Sequence, residues 1–386
     1  MTWRWLMVLP LIAAACAAET RRVGPGQRYR TPCEAIRAAA AGDVIEIDAA
    51  GSYTGDVCAF YPKQLTLRGV NGRPRIDAGG RTAQGKAIWV IGGGEVTVEN
   101  IEFTGAQCAD RNGAGIRFEG RRLTVRDCVF RNNENGVLSG NDPSSALLIE
   151  YSEFDSNGYG DGYSHNVYVG RIAEFTMRFC WSHSAKEGHL VKSRAAVTNL
   201  LYNYLDTGRG TASYEADFPE PGTVLLLGNV IVQRPSSHNS IVVSVGQEAA
   251  PQPDAVLRLI HNTIINLGPP QATLVFGGRG APGAAVFRNN VFFGDARITN
   301  AAFRPGAGNF HLPLSGVTDL AGLDFRPRGR TQTAVPLAQN ETPAAQYLHP
   351  ACGARRPMAT TPGALESGAP PEPSPEAPAR CRAPLR

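Results

Sequence analysis

Through most of the chain the apolar residues fall in short alternating runs, bounded by Gly, Asn or Asp, and not at helical spacing. Alternation of this kind predicts half-buried β-strands. One phrase recurs: Val98-Glu-Asn100-Ile-Glu-Phe103, Val125-Arg-Asp127-Cys-Val-Phe130, Ile149-Glu-Tyr151-Ser-Glu-Phe154 and Met177-Arg-Phe179-Cys-Trp-Ser182. It continues as Leu201-Tyr-Asn203-Tyr-Leu205, Leu227-Gly-Asn229-Val-Ile231, Ile260-His-Asn262-Thr-Ile264 and Arg288-Asn-Asn290-Val-Phe292. With the Asn-like position as marker, the steps from 100 to 290 are 27, 24, 28, 24, 26, 33 and 28 residues. No unit of this size buries its apolar side alone, so the units must stack.

Strands that recur once per turn in one direction pair in parallel about 4.8 Å apart and wind a hollow prism filled by Val, Ile, Leu and Phe. An Asn at a corner bonds backbone that the turn leaves unpaired, and its copies above and below form a ladder. The expected fold is all-β, a single-stranded right-handed parallel β-helix. A helical solenoid would need an amphipathic helix in every unit, and the chain offers one good candidate, residues 32–41, just before the strand Val44-Ile-Glu-Ile47. That helix is expected to cap the open N-terminal end. The β-helix domain is expected over residues 24–362, with a closing segment from Asp324-Phe325 at the far end. Residues 363–386, rich in Pro, Glu, Ala and Ser, are expected to form a disordered tail.

Glycine, at 43 of 386 residues, is scattered between the apolar runs, as many tight turns require. A net charge of +4 is too small and too evenly spread for a nucleic-acid footprint, but tolerates an acidic ligand. Residues 1–18 combine a basic start, a short apolar stretch and small residues, the pattern of a signal peptide. Export to the periplasm or beyond is therefore expected, with lipid anchoring at Cys16 as the alternative. No later stretch is apolar for the ~20 residues of a membrane helix, and a monomer is expected. Seven cysteines follow Cys16, an odd number, and Cys33 with Cys58 is the preferred bridge. Cys128 and Cys180 hold one repeat position two coils apart, about 9.6 Å, beyond the ~7 Å reach of a disulfide.

The helix-then-strand opening, the Asn-marked coils and the Asp324-Phe325 segment together resemble the pectate lyase superfamily of right-handed β-helices, over roughly residues 30–365. Within it, His165-Asn-Val-Tyr-Val-Gly170, Gly188-His-Leu-Val-Lys-Ser-Arg194 and Ser213-Tyr-Glu-Ala-Asp-Phe-Pro219 are similar to a group of exported bacterial β-helix proteins. The resemblance implies the fold and polysaccharide chemistry. It leaves the reaction open, because the superfamily includes lyases, hydrolases, esterases, epimerases and binding domains.

Adjacent coils aligned by the repeat put Tyr168, Lys192 and Arg194 on one outward face, with Val167, Val169, Val191 and Ser193 inward. His165 and His189 take the inward parity, where they are structural unless the turn at Gly188 rotates them out. Only four lysines occur, Lys63, Lys86, Lys186 and Lys192, and two lie within seven residues. A Lys beside an Arg suits β-elimination of a uronate: Lys192 takes the proton next to the carboxylate, and Arg194 or Asn166 neutralises that carboxylate. Tyr168, Tyr214 or a histidine completes the proton transfer, and Lys186 is a further substrate contact. Glu215 and Asp217, sharing a strand parity, would instead serve a glycoside hydrolase as acid and base, or pair with the basic groups. Asp155 and Asp161 flank a Gly-rich loop that offers oxygens to calcium; otherwise no cofactor or metal is expected. Three readings stand: a lyase on an acidic polysaccharide, a hydrolase, and a glycan-binding β-helix without turnover.

Overall fold

The computed structural model describes residues 18–248, 253–329, 333–366 and 372–382. Each coil contributes one strand to each of three parallel sheets. Sheet A has eleven strands, from Thr20–Val23 to Ala284–Arg288. Sheet C has ten, from Arg75–Asp77 to Phe310–Leu312, and sheet B ten, from Cys58–Phe60 to Arg297–Thr299. Along a coil the chain visits A, then C, then B, so the molecule is a parallel β-solenoid of about ten turns. Alternation fills the interior: Leu67, Val98, Val125, Ile149, Met177, Leu200 and Leu226 stack in register on sheet A and are fully buried. On sheet C the rings of Phe103, Phe130 and Phe154 stack at 5.1 and 4.9 Å.

The corner from A to C corrects the marker used above, which merges two adjacent positions. One is a left-handed residue that turns the chain, at Asn100, Asp127, Tyr151, Phe179, Tyr202, His261 and Asn289, with φ between 50° and 57° in every case. The next residue points inward and carries the ladder: Cys128, Ser152, Cys180, then Asn203, Asn229, Asn262 and Asn290. Each of Asn203, Asn229 and Asn262 donates to the side-chain oxygen of the Asn above at 3.0 Å and to a backbone carbonyl below. The sheet register pairs Met177 with Leu200, so the aligned step from Phe179 leads to Tyr202 and not to Asn203. Cys128 and Cys180 lie two coils apart in the ladder column and are free thiols, as the spacing requires.

The capping helix spans Pro32–Ala38, three residues shorter than expected. Beyond it the carboxylate of Asp43 accepts the backbone N–H of Ala40 at 2.8 Å and of Glu19 at 2.9 Å, which draws the chain out of the helix and into sheet A. Cys33 is bonded to Cys58 in the first coil.

The C-terminal part departs most from expectation. The segment from Asp324 does not close the far end; it returns along the outside of sheet C, where Phe325, Tyr347 and Ala364 pack on Tyr204, Val230, Val232 and Val291. Residues beyond 362 were expected to be disordered. Among those described, Ala364 donates to Thr263 Oγ1 at 2.9 Å, Arg380 bonds Asp127 and the Tyr151 carbonyl, and Cys381 is bonded to Cys352. The outward rings of Tyr151, Phe179 and Tyr202 form the apolar strip beneath this cover, an anchor that composition alone does not display. Residues 1–17, where the signal peptide and Cys16 fall, lie outside the described residues. Among the described residues no helix is long and apolar enough to cross a membrane.

Candidate functional site

On sheet B the outward column runs Val90, Arg117, Leu138, Tyr168, Lys192, Asp217 and Ser244 in strict register. Chemistry concentrates from Tyr168 onward. The two-residue strand Lys192–Ser193 buries Ser193, whose hydroxyl lies 2.7 Å from Thr198 Oγ1, and so turns Lys192 and Arg194 to the same outer face.

The two cations share one carboxylate. Lys192 Nζ lies 3.0 Å from Glu248 Oε1, and the Arg194 guanidinium bonds the other oxygen, Oε2. Lys192 also lies 3.4 Å from Asp217 Oδ2; Arg194 donates to Glu220 Oε1 at 3.0 Å and to the Tyr168 hydroxyl. Burial alone would lower the Arg194 guanidinium, but Tyr168, Glu248 and Glu220 overcome it and hold the group above its ordinary value. Glu248 is shifted the other way: burial would raise it, and Lys192 and Arg194 bring it below the usual carboxylate range. Asp217 is raised, because burial outweighs the help of Lys192 and Ser244.

The histidines line the edge of this face. Gly188 runs so close to Ser164 that a Cβ would sit 1.7 Å from its carbonyl oxygen. Only glycine permits that approach, and it sets the His189 ring on the His165 ring at 4.6 Å, with His189 N–H donating to His165 Nδ1 at 2.9 Å. Both are buried and neutral at ordinary pH: burial, then the nearby cations, push His189 down to about 3, and His165 falls well below its usual value. His189 Nε2 lies 3.4 Å from Asp217, and its ring meets Tyr214 at 4.8 Å, so His189 belongs to the site while His165 supports it.

Three expected members are displaced. Asn166 is fully buried in a second ladder, donating to Phe154 O, Ser182 Oγ and His183 O and accepting from Asn157, so no atom remains for a glycan. Glu215 precedes the strand Ala216–Phe218 and turns into the corner; it is fully buried, accepts from Thr207 Oγ1 at 2.6 Å, and burial raises its carboxyl well above the usual range. The acid pair Glu215 and Asp217 therefore does not share a face. Lys186 is exposed on the loop before Gly188, with no side-chain hydrogen bond among the described residues. The Gly-rich loop does not unite Asp155 with Asp161: Asp161 accepts the Tyr163 N–H, while Asp155 meets His183 on sheet C.

Glu220 and Glu248 were not foreseen. The signal for Glu248 was the longest repeat step, the 33 residues between the ladder positions Asn229 and Asn262, because an interval that long must carry extra loop. A cavity of about 510 Å³ opens beside Arg194, lined by Arg171, Glu220 and Pro221. Sheet C carries a separate cluster: His183 lies 3.3 Å from Glu153 and 3.5 Å from Asp155, and its ring stacks on Trp181 at 3.7 Å. The two carboxylates share this one imidazole, whose Nδ1 also lies 2.9 Å from Ser184 Oγ. A cavity of about 560 Å³ lies next to it, under the returning segment, lined by Tyr204, Phe325, Tyr347 and His349.

The family model described as "Right handed beta helix region" matches residues 75–206. Among solved structures, the crystal structure of pectate lyase Pel9A superposes with a TM-score of 0.60 over 91% of this chain and 96% of that one, at 13% identity. The fold is a pectate lyase-like right-handed β-helix. No curated protein matches the chain in sequence. At this identity the likeness carries the β-helix fold, and the chemistry rests on the residues of sheet B.

Proposed function

We propose that the protein is an exported polysaccharide lyase that cleaves an acidic glycan by β-elimination on the outer face of sheet B. The observation that carries this reading is the single carboxylate, that of Glu248, gripped at once by Lys192 and Arg194. Two cations that accept one carboxylate on an outer face provide the geometry that a uronate needs. In the proposed reaction Lys192 first passes its own proton to the Asp217 carboxylate 3.4 Å away and then, as the free amine, removes the proton on the carbon next to the uronate carboxylate, while Arg194 stabilises the charge that moves onto that carboxylate. The double bond forms as the bond to the leaving sugar oxygen breaks, and the Tyr168 hydroxyl, held by Arg194, returns a proton to that oxygen. His189 and Asp217 position Lys192 from beneath. The hydrolase reading loses its basis with Glu215 sealed inside the corner. The disulfides Cys33–Cys58 and Cys352–Cys381 suit an oxidising compartment.

The test is incubation of the purified protein with polygalacturonate, alginate and hyaluronan. Near-ultraviolet absorbance from an unsaturated product is expected with at least one. New reducing ends without absorbance would mean hydrolysis, and retention of polymer without either would mean a binding protein.

A further inference from the structure

We propose that Glu248 is a resident carboxylate occupying the place of a substrate carboxylate, so that glycan binding is an exchange of one carboxylate for another. This rests on the uronate reading of sheet B and adds to it a specificity-determining residue. The side chains of Lys192 and Arg194 are only 11% and 10% exposed, whereas that of Glu248, which covers them, is 46% exposed. The other acids on these cations are set deeper: Asp217 is 4% exposed and Glu220 21%. Glu248 is thus the one partner that an incoming polymer meets first and that can leave into water.

Its backbone is not free to leave with it. Gly246 and Glu248 donate to the carbonyls of Phe218 and Pro219 at 2.8 and 3.1 Å, and the Gln247 amide donates to Ser244 Oγ at 2.7 Å and to the Tyr214 hydroxyl at 3.0 Å. Exchange therefore requires rotation of one side chain on a pinned turn. A uronate that restores both contacts replaces what the departing Glu248 removed and gains the rest of its binding elsewhere. A neutral glycan restores neither contact, and separating Glu248 from two largely buried cations leaves Lys192 with Asp217 alone and Arg194 with Glu220 and Tyr168. The resident acid thereby selects charged polymers at little cost to the substrate that carries the charge.

The test compares the full chain, Glu248→Gln and Arg194→Gln by calorimetric titration with polygalacturonate, alginate and hyaluronan, after thermal melts show that all three proteins are folded. Glu248→Gln keeps the shape and removes the competing charge. It is expected to bind the recognised polymer about tenfold more tightly than the unmodified protein, and to lose that advantage on the same polymer with its carboxyls reduced to alcohols. Arg194→Gln is expected to bind more weakly. Equal or weaker binding by Glu248→Gln, with Arg194→Gln still weakened, overturns the exchange while leaving the uronate site standing. If Arg194→Gln binds as well as the unmodified protein, or no variant binds any of the three polymers, the uronate site falls and the exchange falls with it.

Discussion

In the middle coils the outward residues of sheet C are Tyr204, Val230 and Val291, buried beneath Phe325, Tyr347 and Ala364, while those of sheet B are Tyr168, Lys192 and Asp217, bordered by Glu220 and Glu248. The backbone geometry of the two sheets is the same. The chain spends its C-terminal segment on the apolar face and leaves the charged face to solvent. The outer side of sheet A is polar and open too, as at Arg122, Thr124, Glu174 and Thr176, but sheet B is the open face that gathers a phenol, an amine and a guanidinium in adjacent coils, where an extended polymer can lie. Sheet C has its own titratable groups, Glu153, Asp155 and His183, but they cluster beside the covered cavity and lie apart from the sheet B column.

The strongest way to break this contrast is to remove the amine from sheet B. Lys192→Ala is expected to lower turnover by about a thousandfold or more with the fold intact, measured as the rate of unsaturated product. Lys192→Arg should fail almost as badly, because a guanidinium does not readily give up its proton. Lys63→Ala, in an earlier coil, should leave the rate unchanged; equal loss there would place the chemistry elsewhere.

The next largest effect concerns the covered face. Ending the chain at Pro362 removes the residues that bond Thr263, Asp127 and Tyr151 and breaks the Cys352–Cys381 bridge. Loss of a native bridge alone typically costs about 2 to 5 kcal/mol. A denaturant midpoint unchanged by this truncation would show that the cover contributes nothing.

The smallest effect separates the two clusters by pH. Burial would raise Glu153, but the hydrogen bond and charge of His183 and the charge of Arg131 hold it below the usual carboxylate range. Its folded value is depressed, so its contribution to stability is complete above the ordinary carboxylate value and is lost as pH falls through the lowered one. Glu153→Gln should flatten that acid limb of the stability curve and leave turnover near neutral pH alone. An acid limb of unchanged steepness would remove Glu153 from the account.

Most of the fold was legible because a parallel solenoid repeats its pattern every turn, and inward residues such as Val125, Phe130, Ile149 and Phe154 keep strict alternation. The outward column of Tyr168 and Lys192 followed from the same rule. The rule failed at Glu215, which lies one residue before its strand begins, where the corner and not the pleat directs the side chain. It failed again at the corners, where the turning residue and the ladder residue are adjacent and Asn occurs at either one, as at Asn100 and Asn203. The C-terminal cover was hidden for another reason: its Pro- and Ala-rich composition is that of a disordered tail, and its docking depends on distant partners. The bulky Tyr151, Phe179 and Tyr202 at left-handed corner positions were the visible trace of it.

The most direct test of the central claim, that sheet B is the working face, is a crystal structure of the Lys192→Ala protein with a bound oligouronate, since this variant is expected to hold the polymer without cutting it. A uronate carboxylate is expected on Arg194, with the glycan lying across the coils that carry Tyr168 and Asp217. Glycan bound instead in the cavity between Tyr204 and Tyr347 on sheet C would contradict it.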